Sequence, residues 1–461
     1  MTLSKWIVGA LALAGCGWAG ATWLHGERAV THYNVSLEAF GERHGVELAN
    51  IGYERDLLSS VARTRVMGGL SVSQYSNLLP VGWRAGSQLV FKHEIQHGPL
   101  VVEGGVKPLA ARIVTTLDLD ALNARAAAGV RDACDCDAPF RVVSDVSHGG
   151  DITHAFTTEA MRWFELGGPD PLSVHIAATD GRLTASADGK VEGAGELGSI
   201  VLRSKHGSAM HEPTQWSYRG VQARVAGLGT FEARSAGLRI ELKGGELALE
   251  GFEAVSHNEL VDGKLNGSMR FTLERVDGER SLGPSALTVA VRGVPEAAVV
   301  EYASAVAAAD MDTLAGREQF LSAYLDLFEP GVSMQLSLSS KTASGHDAKV
   351  AYDLAYVSED GELQTVGDLI GRLRSGLDVD VELSWLNELG LDHLYAAAQH
   401  ATVLEQDRVT LDAKLADGLV RMNGDTVPVA QMLGPLVDQA LPSMQMIASQ
   451  WMALEAEPAQ P

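Results

Sequence analysis

Between about residues 60 and 295, apolar and polar residues alternate with a period of two, in short runs separated by turn signals. Leu172-Ser-Val-His-Ile176, Leu238-Arg-Ile-Glu-Leu242, Met269-Arg-Phe-Thr-Leu273 and Leu287-Thr-Val-Ala-Val291 are such runs. Successive side chains of a strand point to opposite faces, so this rhythm predicts sheets with one buried face, mostly antiparallel. Asp180-Gly181, Asp188-Gly189, Gly244-Gly245, Asp262-Gly263 and Asp277-Gly278 supply hairpin chemistry, because primed turns need residues that tolerate positive φ.

Elsewhere the period changes. From Glu27 to Leu48, Val30, Tyr33, Leu37 and Phe40 recur at helical spacing, and this reads as a stalk helix. Residues 296–330 break the strand rhythm with two helices, Glu296–Asp310 and Leu314–Phe328. Strands resume at Val332–Ser339 and Val350–Tyr356, followed by a helix at Val366–Leu373, a strand at Leu377–Leu383 and a helical stretch at Leu386–Thr402. Arg408–Leu415 and Leu419–Met422 flank a turn at Asp417-Gly418. A last amphipathic helix, Val429–Leu454, is interrupted by Pro435 and Pro442, and the tail Glu455–Pro461 reads as disordered.

The fold expected is α+β and mainly β: extended, twisted antiparallel sheets, with helices covering part of one face. The expected organisation is an N-terminal segment 1–24, a β-rich domain 25–295, an α+β region 296–454 and the tail 455–461.

The segment from Trp6 to Leu24 carries no charge over about 19 residues, close to the length of a transmembrane helix. Trp6, Trp18 and Trp23 stand near its ends, and Lys5 precedes it. It therefore reads as an anchor in a bacterial inner membrane, with the body in the periplasm. Leu13-Ala14-Gly15-Cys16 offers a second reading, the lipobox of a lipoprotein lipidated at Cys16.

Charge narrows the partners. The formal net charge of −23 argues against nucleic acid and against broad contact with anionic headgroups. Besides Cys16, only Cys134 and Cys136 occur, in Asp132-Ala-Cys-Asp-Cys-Asp137. They are candidates for a local disulfide; no neighbouring His or further Cys completes a tetrahedral metal site.

His93-Glu94-Ile-Gln-His97 spells the H-E-x-x-H of zinc hydrolases. That chemistry needs a helix, to bring both imidazoles to one metal. Here Leu89, Phe91, His93, Ile95 and His97 alternate as on a strand, and two histidines four residues apart on a strand stand about 13 Å apart. Gly98-Pro99 follows at once. His148, His154, His206 and His211 lie in unrelated turns or strands. No nucleophile elbow, phosphate loop or dinucleotide fingerprint is present, so no catalytic residues and no cofactor are assigned.

Four elements carry a family resemblance: Gly20-Ala-Thr-Trp-Leu-His-Gly26, Tyr53-Glu-Arg-Asp-Leu-Leu-Ser-Ser60, Ile95-Gln-His-Gly-Pro-Leu100 and Asp417-Gly-Leu-Val-Arg-Met-Asn-Gly424. Taken in order, they resemble the YdgA-like bacterial family, domain of unknown function 945. Asp56 replaces the usual glycine. The resemblance implies an envelope location and gives Tyr53, Arg55, Ser59, Ser60, His97, Gly98, Pro99, Asn423 and Gly424 structural roles. It supplies no catalytic residue.

The function expected is that of a membrane-anchored, non-enzymatic envelope protein, binding an apolar ligand such as lipid, or an envelope partner, along a sheet. The alternatives are a zinc hydrolase using His93, Glu94 and His97, and a pure protein–protein scaffold. The discriminating feature is whether the inward residues of many strands stay apolar without helices over them.

Overall fold

A computed structural model describes residues 47–56, 58–67, 89–101, 106–166, 172–223, 225, 227–308, 313–328, 331–357, 365–399 and 401–434. The chain divides into two compact units, 1–226 and 227–461.

In the first unit, β1 (Glu47–Arg55), β2 (Ser59–Met67), β3 (Leu89–His97), β4 (Ala111–Leu117), β5 (Phe140–Val146) and β6 (Ile152–Thr158) pair antiparallel in order. β7 (Met161–Leu166) and β8 (Leu172–Ile176) form a separate hairpin. The sheet resumes through β9 (Thr179–Ala185), which pairs β6, and β10 (Lys190–Leu197). β11 (Ile200–Ser204) and β12 (Gly207–His211) extend the β7–β8 hairpin, and β13 (Thr214–Val221) closes on β10. Among the described residues of this unit the one longer helix, α1 (Ala124–Cys134), is capped where the Asn123 side chain accepts the Ala126 N–H. Its Ala126, Ala127 and Val130 bury against Leu119 and Leu122.

The second unit is an antiparallel meander. It begins with the long strands β14 (Gly229–Leu242), β15 (Gly245–Val261) and β16 (Lys264–Leu273). Short β17 (Arg275–Asp277) leads to β18 (Leu282–Pro295), which pairs β16. Helices α2 (Glu296–Ala308) and α3 (Leu314–Asp326) follow. The sheet continues through β19 (Ser333–Thr342), β20 (Asp347–Tyr356) and, after α4 (Val366–Arg372), β21 (Leu373–Glu382). After α5 (Leu383–Glu388), α6 (Asp392–Ala398) and short β22 (Val403–Glu405), β23 (Arg408–Ala416) pairs β21. β24 (Leu419–Met422), β25 (Asp425–Pro428) and the one-turn α7 (Val429–Leu433) complete it.

The change of rhythm at residue 296 is thus an insertion of helices into a continuous sheet, since β18 before it pairs β19 after it. The stretch read as one helix from Leu386 to Thr402 is broken by Gly390 at φ +61 and ends in the strand β22. Asp180-Gly181 lies inside β9 and forms no turn.

The membrane-anchor expectation needs correction. Residues 1–24, Cys16 and most of the expected stalk helix lie outside the described residues; Glu47 and Leu48 belong to β1. Among the described residues no helix is long and apolar enough to cross a membrane. The longest, α2 and α3, have 13 residues each, about 20 Å at 1.5 Å per residue, against a hydrocarbon core of about 30 Å. The transmembrane element, the inner-membrane location, the periplasmic body and the membrane partner drawn from it therefore lack support and are set aside. The lipidation reading rests on Cys16, outside the described residues, and draws no support from the cysteines that are described, Cys134 and Cys136, which are joined in a disulfide. The helix expected over Val429–Leu454 is described only as far as Leu433, and the tail 455–461 lies outside the described residues.

Candidate binding face

Residues directly opposite in an antiparallel pair share a face, so register turns the alternation of each strand into rows across the sheet. In the second unit one row runs Ala233, Ala254, Phe271, Leu287, Leu338, Val350, Val379, Leu411. The next runs Phe231, Ser256, Met269, Val289, Leu336, Tyr352, Leu377, Ala413, Met422. On the other face the rows are polar: Glu253, Thr272, Ala286, Ser339, Lys349, Asp380, Thr410 is one of them.

Part of the apolar face has a cover. α5 and α6 place Leu386, Leu383, Trp385, Leu391 and Tyr395 over Ala348, Val379, Val381 and Val409. Farther along, Met269 is 42% exposed, Phe231 38% and Leu338 37%. Within this open part the face sinks into a groove of about 380 Å³, lined by Leu265, Gly267, Met269, Phe271, Val289, Val291 and Val294, with Asn258 and Ser268 as the polar lining residues. Gly267 opens it: it faces Asn258 and Val291 across the ladders, and a Cβ there would meet the Asn258 Oδ1 at 2.7 Å.

The polar face is tied by charge. The Arg408 guanidinium donates to Asp380 at 2.6 Å, Asp347 at 3.0 Å and Glu382 at 3.4 Å, joining β20, β21 and β23. The side-chain hydrogen bonding that Asp347 shares with Glu382 and accepts from Arg408 holds its carboxyl down at about 2.

The first unit carries a different feature, hydroxyl–imidazole pairs set into a sheet face. Thr64 Oγ1 lies 2.9 Å from His93 Nε2, and His93 Nδ1 lies 2.8 Å from Thr115 Oγ1. Ser60 Oγ lies 2.8 Å from His97 Nε2, and Ser144 Oγ 2.8 Å from His154 Nδ1. Burial pushes His93 down to about 4 and lowers His154 as well, so both are neutral near pH 7.

This disposes of the zinc reading. β3 is a strand, both histidines are engaged with hydroxyls of neighbouring strands, and Glu94 points to the opposite face, beside Lys92 at 2.7 Å. Among the described residues no group of His, Cys, Asp and Glu is placed to hold a metal. His148 reaches the Pro99 carbonyl and His211 lies near Thr214, apart from this row.

The other singled-out residues have structural settings. Tyr53 and Arg55 face Ala62 and Ser60 in the β1–β2 ladder, and Ser59 faces Gln96. The His97 N–H donates to the Leu58 carbonyl, and the Gly98 N–H to the Ala110 carbonyl. A Cβ on Gly98 would fall 2.1 Å from the Leu109 carbonyl oxygen, so only glycine fits before Pro99. Asn423 and Gly424, at φ +47 and +99, form the two-residue turn between β24 and β25. The Asn423 side chain accepts from the Asp412 N–H and donates to the Ala401 carbonyl. Cys134 and Cys136 form a disulfide.

Sequence reasoning did not anticipate the groove, the Arg408 hub or the ion pair of Arg112 with Asp145 at 2.6 and 2.8 Å, whose hydrogen bonds lower the Asp145 carboxyl. Each depends on the register between paired strands, which the local pattern along one strand does not give.

No curated protein and no solved structure matches this chain. Residues 3–430, almost the whole chain, match one family model, and the chain belongs to the bacterial proteins of unknown function grouped as DUF945.

Proposed function

We propose that the protein works by non-covalent binding, the second unit receiving the hydrocarbon chain of an amphiphile in the groove between β15, β16 and β18. The reading requires neither a membrane anchor nor a metal. One observation carries it: an apolar face continuous across the meander stays half open beyond the cover of α5 and α6, and deepens there into a groove.

The lining selects the ligand class. A polypeptide laid in the groove would bury main-chain N–H and C=O groups against Leu265, Phe271, Val289, Val291 and Val294, which offer them no partner. A hydrocarbon leaves nothing unpaired and gains about 25 cal/mol for each Å² removed from water. A volume of about 380 Å³ falls within the range of small-molecule sites. The lining is almost wholly apolar, so the ligand's polar end stays outside the groove, in water.

Equilibrium titration of the purified protein with a fluorescent long-chain fatty acid tests this reading. Saturable binding at a small whole-number ratio is expected. Signal that rises without saturation, or none at micromolar concentration, contradicts it and leaves a scaffold for protein partners as the better account.

A further inference from the structure

Cys134 is the last residue of α1, and the disulfide joins it to Cys136, only two positions on. Such a bond ties no two elements of the fold together. The chain entropy a disulfide removes grows with the loop it closes, so this one contributes close to the least a disulfide can. Both cysteines are partly exposed. Between them Asp135 sits at φ +52 as the helix C-cap, its N–H donating to the Arg131 carbonyl at 2.7 Å. The Cys136 carbonyl oxygen lies 3.4 Å from Cys134 Sγ, so a thiol formed there has an acceptor already in place.

The charges around the pair are mostly negative. Asp132, Asp135 and Asp137 flank the sulfurs, and the α1 C-terminus adds the negative end of the helix dipole. Arg131 is shared between Asp120 and Asp137. An approaching anionic thiol is repelled here and a cationic one attracted.

We propose that the Cys134–Cys136 disulfide is a thiol–disulfide exchange site that accepts electrons from neutral or cationic thiols and discriminates against anionic ones. A substrate thiolate attacks one sulfur; the S–S bond breaks and its electron pair leaves on the other cysteine, which takes up a proton. A second substrate thiolate attacks the mixed disulfide, releasing substrate disulfide and the second protein thiol. Two electrons and two protons pass from two substrate thiols to the protein. A low-molecular-weight disulfide restores the site by the reverse exchange.

The test uses the full-length folded protein with 2-aminoethanethiol, 2-mercaptoethanol and mercaptoacetate. Thiol release is followed by alkylation and mass spectrometry, with rates corrected to thiolate concentration. At low ionic strength the cationic thiol should react about five- to tenfold faster than the anionic one, and the gap should shrink in 0.5 M salt. The double variant Asp135→Asn, Asp137→Asn should narrow it without salt, and Cys136→Ser should abolish exchange. Reduction should leave the melting of the first unit essentially unchanged. Reaction only in denaturant, equal corrected rates for all three thiols, or a large loss of stability on reduction would overturn the proposal.

Discussion

Ser60 Oγ lies 2.8 Å from His97 Nε2, with both residues buried, at 2% and 3% exposure. The contact joins two sequence elements 37 residues apart, Tyr53–Ser60 and Ile95–Leu100. It looks like a nucleophile beside its base, yet it is closed to solvent and fastens β2 to the end of β3. Ser60→Ala removes one hydrogen-bond partner of a buried imidazole and should cost about 1–3 kcal/mol. Thermal melting checks this: the first unit should lose several degrees, while binding to the second unit stays intact.

The buried histidines make stability depend on pH. The His93 imidazole is held at about 4 in the folded protein, against 6.5 when exposed. Between those values the unfolded chain binds the extra proton, so the stability from neutral His93 is full above pH 6.5 and is lost progressively as pH falls to about 4. The shift corresponds to about 3 kcal/mol, and His154, shifted the same way, steepens the loss. Melting temperatures measured from pH 7.5 to 4 should fall across this window. His93→Gln, which keeps hydrogen-bonding groups but cannot charge, should flatten the slope. A His93→Gln protein with an unchanged slope would place the acid sensitivity elsewhere.

Gly181 illustrates what could and could not be read from sequence. Asp180-Gly181 looks like a hairpin turn, as do Asp262-Gly263 and Asp417-Gly418. The latter two are turns, with positive φ at both residues. Gly181 instead lies mid-strand beneath Phe156, and a Cβ there would come within 2.3 Å of the ring. Local composition cannot separate a glycine that turns the chain from one that makes room for an aromatic ring on the next strand. The same limit hid the Ser60–His97 contact and the Arg408 hub. By contrast, the strand character of Leu89–His97 was legible, because alternation is local. The one-sided sheet was legible for the same reason. The groove was not: Gly267 sets it, through its position opposite Asn258 and Val291.

The Gly181 assignment has its own consequence. Phe156 stacks on Trp216 with ring centroids 5.9 Å apart. Gly181→Val should force the Phe156 ring aside, at about 1–3 kcal/mol, as overpacking does. Near-ultraviolet circular dichroism should lose part of its aromatic signal while the far-ultraviolet sheet spectrum persists.

Asn423 supports the end of the second sheet in two ways, by accepting positive φ and by its two side-chain hydrogen bonds. Asn423→Ala loses both and should destabilise by about 1–2 kcal/mol. Asn423→Gly restores the backbone freedom and should recover part of the loss. Denaturant midpoints of the two variants, read side by side, separate the contributions.

Gly267→Leu is the corresponding probe of the groove. The new side chain enters the lining beside Met269 and Val291, and its Cβ alone pushes aside the end of Asn258, whose amide donates to the Gly227 carbonyl. Fatty-acid affinity should fall at least about tenfold, equivalent to about 1.4 kcal/mol, with melting little changed. Undiminished affinity in a folded Gly267→Leu protein would move the ligand off this groove.

The most direct measurement is photo-crosslinking of the wild-type protein with a long-chain fatty acid bearing a diazirine near its methyl end, followed by peptide mapping. The groove reading predicts saturable labelling concentrated on the stretches Leu265–Phe271 and Val289–Val294, competed away by unlabelled fatty acid. Labels scattered over both units, or confined to strands away from β16 and β18, would contradict it.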